Sequence, residues 1–270
     1  MPRIAVICGT GMSAFSTTLE SKESTSNQVL ADSKWGVVPI SVVNHDSGQV
    51  FVIDRHHSNE EKRTPPHEID HRANVHAATS CSPDLIVSVN SVGSMVESMP
   101  PGTVGIAEGI IDLSIKPWTF HDDDATHADR TRPFDQRYSS VCEAVLAERQ
   151  GNSPTGLVVA QCVGPQFESP SEIDALERLG AHLVGMTLGP EQRLISETGI
   201  PHVSLPCSSN WAAGRTPGEP DAEINHKEVD EMASQMREIP GITVFGNPEM
   251  EEAIGVVSFL HETIQAQDLG

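Results

Sequence analysis

The sequence predicts an α/β fold, a single domain over residues 1–270 with a central mixed or parallel sheet flanked by helices. Three observations carry this. Short, nearly continuous apolar runs recur along the 270 residues, several of them β-branched, as strands buried on both faces should be. Segments of helical character lie between those runs. No internal repeat, low-complexity tail or linker divides the chain.

In chain order the expected strands are Ile4–Cys8, Gln49–Ile53, Leu85–Val89, Val104–Ile106, Leu157–Gln161, His182–Met186 and His202–Pro206. One helix ends over Asn74–Ser80, another covers Tyr138–Gln150, and a third covers Ser169–Leu179, with Ser171 and Glu172 near its start. Ala222–Arg237 and Pro248–Gln267 make a helical C-terminal third, the latter with Ile254, Val257, Leu260 and Ile264 along one face. Long polar loops at His56–Asp70, Trp118–Pro133 and Gly214–Asp221 are where such folds commonly carry function.

Composition narrows the functional classes. With 17 basic against 38 acidic residues, a formal charge of -21 repels nucleic acid and anionic membranes, so neither is expected as a partner. Small anions stay open, because a local site needs only a few donors. The five cysteines form no CxxC or Cys/His ligand spacing and read as reduced thiols, with no metal site expected. The N-terminal apolar run is too short for a signal peptide, and nothing approaches the ~20 apolar residues of a membrane span, so a soluble cytoplasmic protein is expected.

Three strand ends could carry chemistry. Ile7-Cys-Gly-Thr-Gly-Met12 lets backbone amides and the Thr10 hydroxyl approach an anion, although a tight turn explains Gly9 and Gly11 equally well. It has neither GxGxxG spacing nor a Walker lysine. Arg55 and His56 follow the strand ending at Ile53, where a guanidinium suits bidentate capture of phosphate; an arginine paired with one of the many carboxylates is the plain alternative. Val89-Asn90-Ser91-Val92-Gly93-Ser94 reads as a strand end delivering small polar groups, or as a simple turn.

The order of these motifs resembles the purine nucleoside phosphorylase and methylthioadenosine phosphorylase superfamily. The matching pieces are Cys8-Gly-Thr-Gly11, Arg55-His56, Pro66-His67 through Arg72-Ala-Asn74 and Val89 to Gly93. Then follow Gly164-Pro-Gln-Phe-Glu168, Val184-Gly-Met-Thr187 with Pro190-Glu191, and Asn210-Trp-Ala-Ala-Gly214. The resemblance implies the nucleoside phosphorylase fold and phosphorolysis of a purine nucleoside, with inorganic phosphate as co-substrate and no other cofactor. It implies a phosphate site of Thr10, Arg55, His56, Ser91 and Thr187, with Asn90 close by. Met186 would lie under the ribose, Phe167 against the purine, Glu168 at its N1 edge and Asn210 at N7 and the 6-substituent. Catalysis would then rest on Asn210, Glu168 and Arg55.

Such chemistry makes the ribose cationic and the departing purine anionic, so phosphate beneath C1′ and hydrogen bonds to N7 and the 6-oxo group stabilise the transition state. A neutral Asn210 with a Glu168 carboxylate suits a 6-oxopurine; family members that take adenine nucleosides carry an Asp at the Asn210 position. The Asn-x-Ala-Ala-Gly pattern resembles the methylthioinosine phosphorylase branch. His226 falls where purine nucleoside phosphorylases keep a histidine near the 5′-hydroxyl, and His127 matches a segment that trimeric relatives lend to a neighbour, which implies a homotrimer. The chain departs from the family over His57–Arg63, a longer loop in which His57, Lys62 and Arg63 could replace a missing contact. Two further readings therefore stand beside the first: a phosphorylase of 5′-deoxy-5′-substituted nucleosides such as methylthioinosine or methylthioadenosine, and a purine-binding homologue without turnover.

Overall fold

The computed structural model describes residues 1–12, 15–19, 25–45, 48–58 and 62–240. The helix expected at Pro248–Gln267 and part of the His57–Arg63 loop lie outside them. The strands are β1 (Arg3–Cys8), β2 (Thr25–Ser33), β3 (Gly36–Asn44), β4 (Gln49–Asp54), β5 (Leu85–Ser94), β6 (Ala107–Asp112), β7 (Leu157–Gln161), β8 (Leu183–Gly185) and β9 (His202–Trp211). The helices are α1 (Phe15–Thr18), α2 (His71–Ser80), α3 (Gln136–Gln150), α4 (Pro170–Arg178), α5 (Leu188–Ser196) and α6 (His226–Gln235).

The strands form one mixed sheet in the order β2-β3-β4-β1-β5-β8-β7-β6, with β9 paired to β5. Its centre is parallel: β1 lies between β4 and β5, and β9 runs along β5 from Ile86↔His202 to Ser94↔Trp211 with a bulge between Val92 and Gly93. Alternation along β1 divides the core. Ile4, Val6 and Cys8 pack with Phe15, Tyr138, Leu146 and Met236 on one face, while Ala5 and Ile7 pack with the α2 residues Ala73, Val75 and Ala77 and the α5 residues Leu194 and Ile195 on the other. Both faces of β1 and β4 are covered, which is why their sequences are nearly continuous apolar runs.

Four differences from the sequence expectation bear on the site. β5 does not end at Val89; its polar residues Asn90, Ser91 and Ser94 stay in the ladder because β9 pairs with them. Val104–Ile106 is not a strand: Val104 makes only an isolated bridge to Cys207, and β6 begins at Ala107. The β2–β3 hairpin was not expected, since β2 is a mostly exposed, polar strand. Nor was α5, whose Gly189-Pro190 reads as a break, although a proline in the first helical turn removes no needed N–H.

Candidate active site

A cavity of about 350 Å³ opens where the turn after β1, the ends of β4, β7 and β8, and the late halves of β5 and β9 converge. Thr10, Arg55, His56, Ser91, Thr187, Phe167, Glu168, Met186, Asn210 and His226 all line it. Asn90 and His127 do not line it. Asn90 sits just behind the wall, 1% exposed, and gives its Nδ2 to Thr187 Oγ1 at 2.9 Å. His127 lies exposed in the loop between β6 and α3.

The Arg55 side chain is 2% exposed and held on every side. Its Nε donates to Glu191 Oε1 at 2.5 Å, Nη2 donates to Ile7 O at 2.9 Å and to Glu191 Oε2 at 3.3 Å, and Nη1 donates to Val89 O at 3.0 Å. Of the five N–H groups of a guanidinium, one on Nη1 remains. Gly9 makes this possible, because a Cβ there would collide with Nη1. Glu191, fully buried in the first turn of α5, also accepts from Asn90 Nδ2 at 3.4 Å. In the sequence Glu191 stands out only as part of the Pro190-Glu191 motif; its pairing with Arg55, 136 residues away, comes from the fold.

The His56 ring faces the same wall. Its Nδ1 lies 2.7 Å from Thr64 O, so that nitrogen carries the hydrogen and donates to the carbonyl. Burial, with the nearby Arg63 and Arg55 charges, lowers its pKa to about 4, and the ring is neutral at pH 7. Thr187 caps α5 without using its side chain; because Oγ1 accepts from Asn90, its own hydrogen is free to donate into the cleft beside the helix N-terminus. Ser91 Oγ lies 2.6 Å from Ser209 Oγ, and Ser209 Oγ donates to Asn210 Oδ1 at 3.0 Å. Hydroxyls thus join the two sides of the cleft.

On the far side, Asn210 Nδ2 donates to Trp211 O at 2.8 Å. Glu168 is part-buried, and burial raises its pKa, opposed by its backbone and by the hydrogen-bonded Cys162 thiol. The Ser169–Glu172 capping box fixes the start of α4 immediately after Glu168. Gly164 holds φ 66°, and a Cβ there would lie 2.5 Å from Met186 Sδ, so the glycine lets the 164–168 segment close over Met186.

The third wall carries the departure from the family pattern. Arg63 reaches the cleft, donating through Nη2 to Thr10 Oγ1 and through Nη1 to Asp230 Oδ1 at 3.0 Å. Asp230 Oδ2 lies 3.1 Å from His226 Nδ1, one turn earlier on α6. His57 turns away, its Nε2 2.7 Å from Asn74 Oδ1. Pro65, Pro66, Ile224 and Val229 supply apolar surface to the cleft that His226 also lines.

Residues 3–242 match the family model described as the Phosphorylase superfamily. A probable 6-oxopurine nucleoside phosphorylase of Thermococcus kodakarensis is 30% identical over 245 residues, covering 87% of each chain. A probable S-methyl-5′-thioinosine phosphorylase of Methanothermobacter thermautotrophicus is 31% identical over 209 residues, covering 76% of this chain and 71% of the relative. Among solved structures, methylthioadenosine phosphorylase from Schistosoma mansoni in complex with adenine superposes with a TM-score of 0.79 at 19% identity, covering 100% of this chain and 97% of that one. With a family model spanning nearly the whole described chain, and with this sheet and cleft, the protein belongs to the phosphorylase superfamily.

Proposed function

We propose that the protein catalyses phosphorolysis of a 6-oxopurine nucleoside, giving the free base and ribose 1-phosphate. The observation that carries this reading is the pairing, in one cleft, of a hydroxyl- and arginine-lined wall with a neutral Asn210 and an acidic Glu168. Phosphate would sit among Thr10, His56, Ser91 and Thr187. One of its oxygens bonds to C1′ as the C1′–N9 bond breaks, and the bond pair leaves with the purine. The departing purine takes up at N7, through solvent, the proton that hydrogen phosphate gives up on forming the ester; Asn210 Oδ1 accepts from that N7–H, and Glu168 accepts from N1–H. Relatives named for 6-oxopurine nucleosides and for S-methyl-5′-thioinosine, both 6-oxo, support the choice of base.

The test is a panel of inosine, guanosine, adenosine and methylthioinosine, each with and without phosphate, with the released bases separated by chromatography. Release of hypoxanthine that ignores phosphate would mark a hydrolase, and binding without release a non-catalytic homologue. A 5′-deoxy-5′-substituted nucleoside is the second reading, favoured by the apolar Ile224, Val229 and Pro65–Pro66 surface of the cleft that His226 also lines. A lower KM for methylthioinosine than for inosine would select it.

A homotrimer belongs to the same proposal. Leu113 and Ile115 follow β6 and Val163 follows β7, the paired strands at one end of the sheet, and these three side chains are 70%, 100% and 70% exposed. Such an apolar edge supports burial against a neighbour, with His127 on the nearby loop available to that neighbour's cleft.

A further inference from the structure

We infer that Arg63 supplies the positive charge that binds phosphate, and that Asp230 holds it beside the cleft until phosphate arrives; this rests on the phosphorolytic reading above. Charge accounting in the cleft leads there. Arg55 spends four of its five N–H groups on Glu191 and two backbone carbonyls, and the buried Glu191 carboxylate balances its charge. His56 is uncharged, with one ring nitrogen committed to Thr64 O. Thr10, Ser91 and Thr187 bring dipoles and no charge. Phosphate at neutral pH carries between one and two negative charges, so this wall lacks a countercharge unless Arg63 provides it.

Arg63 is built for the task. Its side chain is 30% exposed, it lines the cleft, and it already donates to Thr10 Oγ1, a hydroxyl on the same wall. Its partner Asp230 is 35% exposed, so breaking that ion pair costs little in water, whereas separating Arg55 from Glu191 would strand a buried carboxylate. The arriving phosphate takes the Nη1 hydrogens from Asp230 and Nη2 from Thr10, freeing the threonine hydroxyl. Asp230 keeps its second contact, His226. Phosphate binding is therefore coupled to α6, the element that carries His226 into the cleft.

The experiment titrates inorganic phosphate into the full chain by calorimetry, for wild type, Arg63→Gln, Arg63→Lys and Asp230→Asn, beside phosphate-dependent base release from inosine. Arg63→Gln should weaken phosphate binding by on the order of tenfold or more, raising the phosphate KM while the inosine KM and the unfolding midpoint hold. Arg63→Lys should recover part of the loss, and Asp230→Asn should tighten phosphate by removing the competitor. Equal phosphate affinity in wild type and Arg63→Gln overturns the inference, as does a wild type that binds no phosphate. If base release needs phosphate but ignores Arg63, the inference falls and the phosphorylase reading stands. If phosphate binding needs Arg63 but no base is released, the inference stands and that reading falls.

Discussion

Arg55 illustrates how a side chain can line a cleft and still belong to the frame. The sequence offers it as a bidentate phosphate ligand or as the partner of a carboxylate; its fork grips Glu191 and the carbonyls of Ile7 and Val89, tying β4 to β1, β5 and α5. Arg55→Ala should therefore abolish turnover and also destabilise the fold by roughly 3–5 kcal/mol, because Glu191 is left buried and unpaired. Urea unfolding checks this, and unchanged stability would return Arg55 to a purely ligand-binding role. Asn210→Asp should shift preference partway from inosine toward adenosine, since the carboxylate accepts where the amide donates while Glu168 still faces N1. The same change sets a carboxylate oxygen against Trp211 O, so a stability loss of about 1–3 kcal/mol should accompany it. A wild type that cleaves adenosine as well as inosine would show that neither residue reads the base. In the proposed reaction Glu168 should also set a pH limit. Burial raises its pKa, so on acidification it takes up a proton above the ordinary glutamate range and loses its acceptor for N1–H. kcat/KM for inosine should fall on that acid limb, and Glu168→Gln should lower activity and flatten the limb.

At the scale of elements, what was legible in the sequence depended on burial. β1, β4 and β7 are apolar on both faces and were readable to within a residue of their ends. β2 was not, because an exposed strand with Asn27, Gln28 and Asp32 has no pattern to distinguish it from a loop. The late half of β5 escaped for the opposite reason: its small polar residues resemble a turn, and only the distant β9 supplies the pairing that keeps them extended. Residues that line the cleft were legible wherever a motif sits next to a strand end, as at Thr10, Arg55 and Asn210. The partners of Thr10 and Arg55, Arg63 and Glu191 respectively, come from remote segments that no local pattern brings to them, whereas Ser209 is the chain neighbour of Asn210. One element makes a direct prediction. Ser169 caps α4 one residue after Glu168, so Ser169→Ala should cost about 1 kcal/mol in urea unfolding and raise the inosine KM by loosening the segment that holds Phe167 and Glu168. A KM indifferent to the substitution would mean that the 164–168 segment is held by Met186 packing alone.

For the whole molecule, the apolar edge beyond β6 and β7 predicts a closed oligomer. Light scattering should give three times the 29.0 kDa chain mass, and Ile115→Lys should dissociate it and reduce turnover, whereas a fully active monomer would remove His127 from the reaction. β5 governs the interior in a different way. Three strands, β1, β8 and β9, hydrogen-bond to it, and the hydroxyl of Ser91 and the amide of Asn210 ride on the β5–β9 ladder a few residues apart. The spacing between Ser91 and Asn210 is thus cast into the backbone, while Arg63 and His226 line the same cleft from segments outside that ladder. If the proposed phosphorolysis holds, a lineage with this architecture trades one nucleoside tail for another by changing residues outside the β5–β9 ladder, and keeps its chemistry on the strands.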